Sequence, residues 1–341
     1  MALTLYKDGF LIRATNMEDL NMSKKAMGID VDSQELNVCV VTDEKQENAV
    51  WKKMTNDKKG FEEVLKFLKH EAVELVFMEA TGGYEQGVAL YLASNEIVAL
   101  VKNPHQVRQF AKGIGLKYKN DKIDAFALGR MAQIVDVKPG MQSSPNQMKL
   151  KQLVTRREQI TQMLAKEKGL HNKLAIAETL ASITRVIESL EKEQEELDKV
   201  INEIINSDIV MTEKEDIITQ FKGIGKITAA AIIAYLPELG YIGNKEICHL
   251  AGLAPMDNDS GSKKGKRFIS GGRPRARKAL YMPAWVAVRR DPNIRTIYER
   301  LIKAGKCKKI AIVAIMRKLL VRMNAAYRRK LGAEKLTVSS S

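Results

Sequence analysis

The chain has 341 residues, 45% of them hydrophobic but only 6% aromatic, and a formal net charge of +15 from 56 Lys and Arg against 41 Asp and Glu. That length holds two domains at roughly 100–200 residues each, with cores built from aliphatic residues and Met. No run approaches the ~20 unbroken apolar residues of a bilayer span, which excludes a transmembrane protein.

Residues 1–25 lack an apolar h-region and a small-residue cleavage site, so they read as an extension and not as a secretory signal. Met1, Met17, Met22 and Met27 leave the natural start open. Over residues 26–143 strand and helix patterns alternate. AMGIDV and NVCVVT, rich in β-branched residues, predict a hairpin, and WKKMT a third strand. GFEEVLKFLKHE has a helical period, VELVFMEA is a buried strand, GYEQGVALYLASN a helix and EIVALVKN another strand. PHQVRQFAKGIG and NDKIDAFALGRMAQIV are helices, the second capped by Asn120 or Asp121. A hairpin followed by alternating strands and helices predicts a mixed sheet with helices packed on it. This is the succession of an α/β ribonuclease H-like domain.

Residues 144–216 are charge-dense and almost free of Gly and Pro. Leu150, Leu153, Ile160, Met163 and Leu164, then Ile187, Leu190, Leu197, Val200 and Ile204, recur at helical spacing. The pattern predicts two long helices, either a coiled coil (antiparallel or between subunits) or a bundle arm within one subunit. Residues 217–332 form a mainly α basic domain and 333–341 a tail. From Phe221 onward there are 26 Lys and Arg against 7 acids, whereas the first 220 residues carry 30 against 34. Such asymmetry points to a polyanion held by the C-terminal part. The domain opens on IITQFKGIGKITAAAIIAYLPEL, a helix–hairpin–helix pattern. Gly223 and Gly225 allow a turn whose amides, with the next helix N-terminus, can face a phosphate. Lys222 and Lys226 flank that turn. Cys39, Cys248 and Cys307 stand at spacings that suit neither disulfides nor zinc, so a reduced, cytoplasmic compartment is expected.

Four acids stand out by placement. Asp30 lies within the strand of MGIDVDSQ, where an ionised group is costly unless paired or metal-bound. Glu79 ends the apolar strand of VELVFMEATGG. Asp121 and Asp124, three apart at a helix start, share a face. Four carboxylates converging from one α/β unit suit Mg²⁺ or Mn²⁺, hard cations that take oxygen ligands, and one or two such ions can assist phosphodiester chemistry. Asp32, on the strand face of Asp30, is read as a supporting residue, and Glu85 as a solvated helix residue. Lys119 and Lys122 are placed to meet phosphate.

Residues 261–278 contain eight Lys and Arg, no acid, and interspersed glycines. Close approach to a phosphate backbone needs this combination. Lys263, Lys264, Lys266, Arg267, Arg273, Arg275, Arg277 and Lys278 are the candidate nucleic-acid contacts, the arginines as bidentate forks. Tyr281 and Trp285 read as packing. Ser260 in DNDSGS and Ser270 in FISGGR compete as nucleophile: both precede glycine, and Ser260 follows Asp259 at the mouth of the basic run, while Phe268-Ile269 suggest a short strand before Ser270.

GIDVD, MEATGGYE, KYKNDKIDAFALGRMA and LAGLAPMDNDSGSKKGKRFISGGRPRARKALYMPAW resemble the motifs of DEDD-type transposases of bacterial insertion sequences, relatives of the pilin-gene invertases. The resemblance covers about residues 26–330. It implies a RuvC-like domain with Asp30, Glu79, Asp121 and Asp124 as catalytic metal ligands, and it places the catalytic serine of the DSG element at Ser260. The reaction it implies is DNA strand exchange through a covalent 5′-phosphoserine, with Mg²⁺ assistance and an active site shared across the subunits of a dimer or tetramer. It further implies donor and target DNA as partners, a structured non-coding RNA that pairs with both, and a nucleoid-associated place in the bacterial cytoplasm. A RuvC-like structure-specific endonuclease using water, and a catalytically silent architectural binder, are the competing functions.

Overall fold

The computed structural model describes residues 25–43, 45–73, 75–116, 120–135, 144–256 and 267–339. The chain divides into two units, Met1–Val137 and Lys138–Ser341.

In the first unit, β1 (Ala26–Val31) and β2 (Glu35–Val41) form an antiparallel hairpin, and β3 (Val50–Thr55) adds antiparallel to β2. On the other side of β1 lie β4 (Leu75–Glu79) and then β5 (Val98–Lys102), both parallel to it. The order β3-β2-β1-β4-β5 makes a mixed five-stranded sheet. Parallel neighbours need a crossover, supplied by α1 (Lys58–His70) before β4 and α2 (Gln86–Ser94) before β5. Two further helices follow, α3 (Pro104–Gly113) and α4 (Asp121–Ile134). Met27, Ile29, Val76, Phe77 and Met78 are fully buried, which is why β1 and β4 read as continuous apolar runs and not as alternating ones. This is the mixed α/β architecture expected of a ribonuclease H-like domain.

The second unit is almost wholly helical. Its arm is α5 (Pro145–His171) and α6 (Ala177–Asn206). Arg157 meets Asp198, Thr161 meets Gln194 and Lys168 meets Glu191, so the two helices run antiparallel. Ile160, Leu164 and Leu197 fill the seam. Beyond it Met163, Leu170, Leu174, Ile176 and Val186 stay exposed. The helical pattern read as ending near residue 215 breaks earlier: α7 (Ile209–Thr219) starts where the Asp208 carboxylate accepts from the Met211 amide at 3.1 Å. The hub is α8 (Lys226–Tyr235), every residue of which from Ala229 on is buried; apolar on all sides, it has to be surrounded. Around it are α9 (Asn244–Leu250), a two-residue ribbon of β6 (Pro255–Met256) and β7 (Phe268–Ile269), α10 (Pro274–Ala279), α11 (Tyr281–Arg290), α12 (Pro292–Lys303) and α13 (Lys308–Ser339). Leu280 and Ala284 with Met316, Leu319, Leu320 and Met323 complete that core. Among the described residues, no helix is long and apolar enough to cross a membrane.

Candidate functional site

The parallel ladder between β1 and β4 ends on the pair Ile29–Met78. The next residues are Asp30 and Glu79, which therefore emerge at the same end of adjacent strands. Asp121 and Asp124 lie on the first turn of α4, whose end is capped by Asn120 Oδ1 accepting from the Ile123 amide at 2.8 Å. Gly28 decides how α4 meets the sheet. A Cβ on Gly28 would overlap the Ala125 carbonyl oxygen and the Gly129 nitrogen, so strand and helix touch backbone to backbone. Asp30 is two residues beyond that contact and Asp124 is adjacent to it.

The electrostatic consequence is direct. Asp30 is pushed up to about 6, first by burial and then by the charges of Asp124, Asp121 and Glu79; the Val31 amide pulls the other way. Three of the four carboxylates singled out in the sequence thus act on the fourth, Asp30. Among the described residues, no three His, Cys, Asp or Glu side chains are grouped closely enough to hold one metal ion as they stand. The donor set nevertheless suits a hard divalent cation: its oxygens are all carboxylate, and a cation would reverse the repulsion that lifts Asp30.

Neighbouring residues fall differently from their sequence reading. Asp32 is exposed in the hairpin turn, accepting from Ser33 Oγ at 2.9 Å and the Gln34 amide at 3.2 Å, which together hold its carboxyl below the usual range. It is a turn residue and no support for Asp30. Glu85, read as solvated, is 8% exposed, and its Oε2 accepts from the Thr81 and Gly83 amides at 3.1 and 3.0 Å. No residue pattern signals this, because both partners are backbone groups of a turn with Gly82 and Gly83 at φ of +74° and +116°. Thr81 Oγ1 is buried and has no hydrogen-bond partner. Two cations not singled out in the sequence border the acids: Lys53, whose charge is felt by Asp121 and which pairs with Glu35 at 2.5 Å, and Lys102, in register with Glu79. Lys122 is exposed on α4; Lys119 lies outside the described residues.

In the second unit, Ser260, Lys263, Lys264 and Lys266 lie outside the described residues. The chain leaves for that segment on β6 and returns on β7, with Pro255 opposite Ile269 and Met256 opposite Phe268. Just before and after, Gly252 and Gly272, at φ of +64° and +66°, press backbone against backbone. Arg277 Nη1 donates to the Gly252 and Gly271 carbonyls, each at 3.1 Å, and so ties the two sides together. Arg273 grips Glu238 with both branches of its fork, at 2.7 and 2.6 Å, and donates to the Tyr235 carbonyl at 2.8 Å. Arg273 and Arg277 were read as phosphate forks; both branches of the Arg273 fork are engaged within the protein, on a carboxylate that is itself buried, and Nη1 of Arg277 is engaged on two carbonyls. Arg275 stands over the Tyr235 ring, 3.8 Å from Glu158. Lys222, Lys226, Arg267, Lys278 and Ser270 are exposed. Lys226 and Lys278 line one groove with Ile227, Thr228 and Met282. Trp285 packs edge-on against Tyr298, with centroids 5.7 Å apart.

Between α7 and α8, a Cβ on Gly223 (φ +96°) would come to 2.9 Å from the Pro283 carbonyl oxygen and 3.0 Å from Val286 Cβ, so the missing side chain lets α11 pack against this turn. Gly225 faces open space at the N-terminus of α8, which no side chain caps.

Two family profiles match the chain, one described as transposase over residues 27–183 and one as transposase of the IS116/IS110/IS902 family over residues 215–299. The pilin gene-inverting proteins of Moraxella lacunata and Moraxella bovis are each 29% identical over 325 residues, covering 92% of this chain and 99% of theirs. An uncharacterized 42 kDa protein of insertion element IS900 from Mycobacterium paratuberculosis is 31% identical over 148 residues, 40% of this chain and 35% of its own. Among solved structures, Thermus thermophilus RuvC aligns alone at 18% identity over 32% of this chain and 97% of its own, with a TM-score of 0.25. RuvC in complex with a Holliday junction substrate aligns at 17% identity over 31% and 90%, also with a TM-score of 0.25.

Proposed function

Since the chain belongs to the IS116/IS110/IS902 family of insertion-sequence transposases, and so is a DNA recombinase, we propose that it exchanges strands by transesterification through Ser260, assisted by the carboxylates of its first unit. The observation that carries this reading is that Asp30 and Glu79 leave adjacent strands at the same end, where α4, bearing Asp121 and Asp124 on its first turn, packs backbone to backbone on β1. All four are carboxylates, the oxygen donor set that a hard divalent cation takes.

The covalent step conserves one phosphodiester-type bond. Ser260 Oγ bonds to phosphorus while the bond from phosphorus to the 3′-oxygen breaks, and the serine proton ends on the departing oxygen. The products are a 5′-phosphoserine link and a free 3′-hydroxyl. Attack by a 3′-hydroxyl from another end reverses the exchange and restores Ser260, with no external energy source. A divalent cation held by Asp30, Glu79, Asp121 and Asp124 would supply positive charge where the phosphorus oxygens gather negative charge. Lys222, Lys226, Arg267 and Lys278, with Lys263, Lys264 and Lys266, hold the phosphate backbone, and such contacts position nucleic acid without reading its sequence. Sequence choice then falls to a structured RNA that pairs with donor and target DNA. The relatives' name speaks of inverting a gene, which needs two sites cut and rejoined in one assembly. A dimer or tetramer meets that need, and the exposed apolar residues of the α5–α6 arm offer a surface for it.

Adduct capture tests the reading. The full chain with DNA and Mg²⁺ is expected to yield a covalent protein–DNA species that is lost in Ser260→Ala and kept in Ser270→Ala. The reverse pattern would move the nucleophile to Ser270. DNA cleavage that persists in Ser260→Ala without any adduct would make the protein a water-using endonuclease.

A further inference from the structure

The ladder joining β1 to β4 stops one residue short of Asp30 and Glu79. Past that point β1 stays paired with β2 and β4 with β5, but no ladder bond joins the two acid-bearing ends to each other. One side chain outside the reaction spans this gap, and a second secures the loop on its far side. Asn56, just after β3, donates from Nδ2 to the Asp32 carbonyl at 2.7 Å and to the Tyr84 carbonyl at 3.2 Å. Its own amide donates to the Gln34 carbonyl at 2.8 Å, which seats Asn56 on the β1–β2 turn. One amide group thus links the turn after Asp30 to the loop after Glu79. Glu85 secures that loop from inside. Amides that converge in a positive-φ turn form a nest for an anion, and here the chain fills the nest itself with the Glu85 carboxylate. The loop is therefore set before any phosphate arrives. Burial of Glu85 strengthens the bond to each amide and makes its loss costly.

We propose that Glu85 and Asn56 are positioning residues of the acidic site: Glu85 locks the loop following Glu79, and Asn56 ties it to the strand bearing Asp30. This rests on the carboxylate reading given above. Residues that orient a ligand shell typically cost about 10–100-fold in metal affinity when removed, because a looser site must spend binding energy on ordering itself.

Mn²⁺ binding to the full chain, by calorimetry in the absence of nucleic acid, tests this directly. Asp124→Asn serves as the control for the acidic site and is expected to lose Mn²⁺ binding. Asn56→Ala and Glu85→Ala are expected to weaken it by at least about tenfold with the circular dichroism spectrum unchanged. Glu85→Gln, whose amide oxygen can still accept from Thr81 and Gly83, is expected to bind close to wild type. If Asp124→Asn loses Mn²⁺ while folded Asn56→Ala and Glu85→Ala bind as wild type does, the positioning role is wrong and the acidic site stands. If Asp124→Asn also binds as wild type does, the acidic site is wrong and the positioning role falls with it. Should Glu85→Ala fail to fold, Asn56→Ala decides alone, since its side chain is half-exposed.

Discussion

In the first unit the candidate ligands are all acids, and uncharged backbone contact positions them: Gly28 against Ala125 and Gly129 brings Asp124 to Asp30. In the second unit charges of the other sign crowd the sequence, yet several are consumed inside the protein, as with Arg273 on Glu238 and Arg277 on the Gly252 and Gly271 carbonyls. A set of carboxylates gathered at neighbouring strand ends offers oxygen donors to a hard cation. A cation already gripped by a buried carboxylate, as Arg273 is by Glu238, has less to offer a phosphate. The same residue chemistry, judged by its partners, thus divides into groups that face a ligand and groups that hold the frame.

The strongest way to break this comparison is at the glycines. Gly28→Val drives a branched side chain into the α4 backbone, where no rotamer gives relief. The expected loss is more than about 4 kcal/mol, with all strand cleavage, read by denaturant unfolding and a cleavage assay. Gly225→Ala in the second unit meets open space and is expected to change stability by less than about 1 kcal/mol. A well-folded, active Gly28→Val would show that α4 does not owe its seat to backbone contact.

The arginines sharpen the same contrast at smaller magnitude. Arg273→Ala strands Glu238, whose side chain is 5% exposed, and is expected to destabilise by about 3 kcal/mol. Lys278→Ala, exposed on the groove, is expected to leave unfolding unchanged and to reduce the dependence of DNA affinity on salt by about one counterion. If Arg273→Ala weakens DNA binding as Lys278→Ala does, with no loss of stability, the sequence reading of Arg273 as a phosphate fork was right after all.

The difference between the units also explains what was legible. Strand and helix succession in the first unit could be read because burial imposes apolar runs on β1 and β4, and the acids stood out because they interrupt those runs. The hairpin glycines and the break before α7 were half-visible: Asp208 signals a cap, but the charge-dense pattern around it runs on. Glu85 and Asn56 could not be found by pattern, because their partners are carbonyls and amides that every residue carries. Arg273 could not be told from Arg275, since nothing in RPRARK reveals that Glu238, distant in sequence, approaches only one of them. Side-chain chemistry gives the menu of interactions, and the fold alone selects the partner.

Thr81 offers the smallest effect and the finest test of the principle. Its hydroxyl is buried without a partner, two residues after Glu79, where the Ala80 amide still bonds to the Lys102 carbonyl at 3.0 Å and so extends the strand pairing past Glu79. Period-two alternation then puts Thr81 on the side of Glu79. An unpaired buried hydroxyl that serves no ligand is a pure cost, and Thr81→Val, equal in shape, would recover up to about 1 kcal/mol while leaving activity intact. A hydroxyl that meets a water or a phosphate oxygen in the working complex gives a different result. Thr81→Val then unfolds no earlier than wild type, but its rate of strand cleavage falls about tenfold, the kinetic equivalent of one hydrogen bond, with DNA affinity unchanged. The second outcome is expected, because the hydroxyl lies beside Glu79, at the strand end that carries the acidic site.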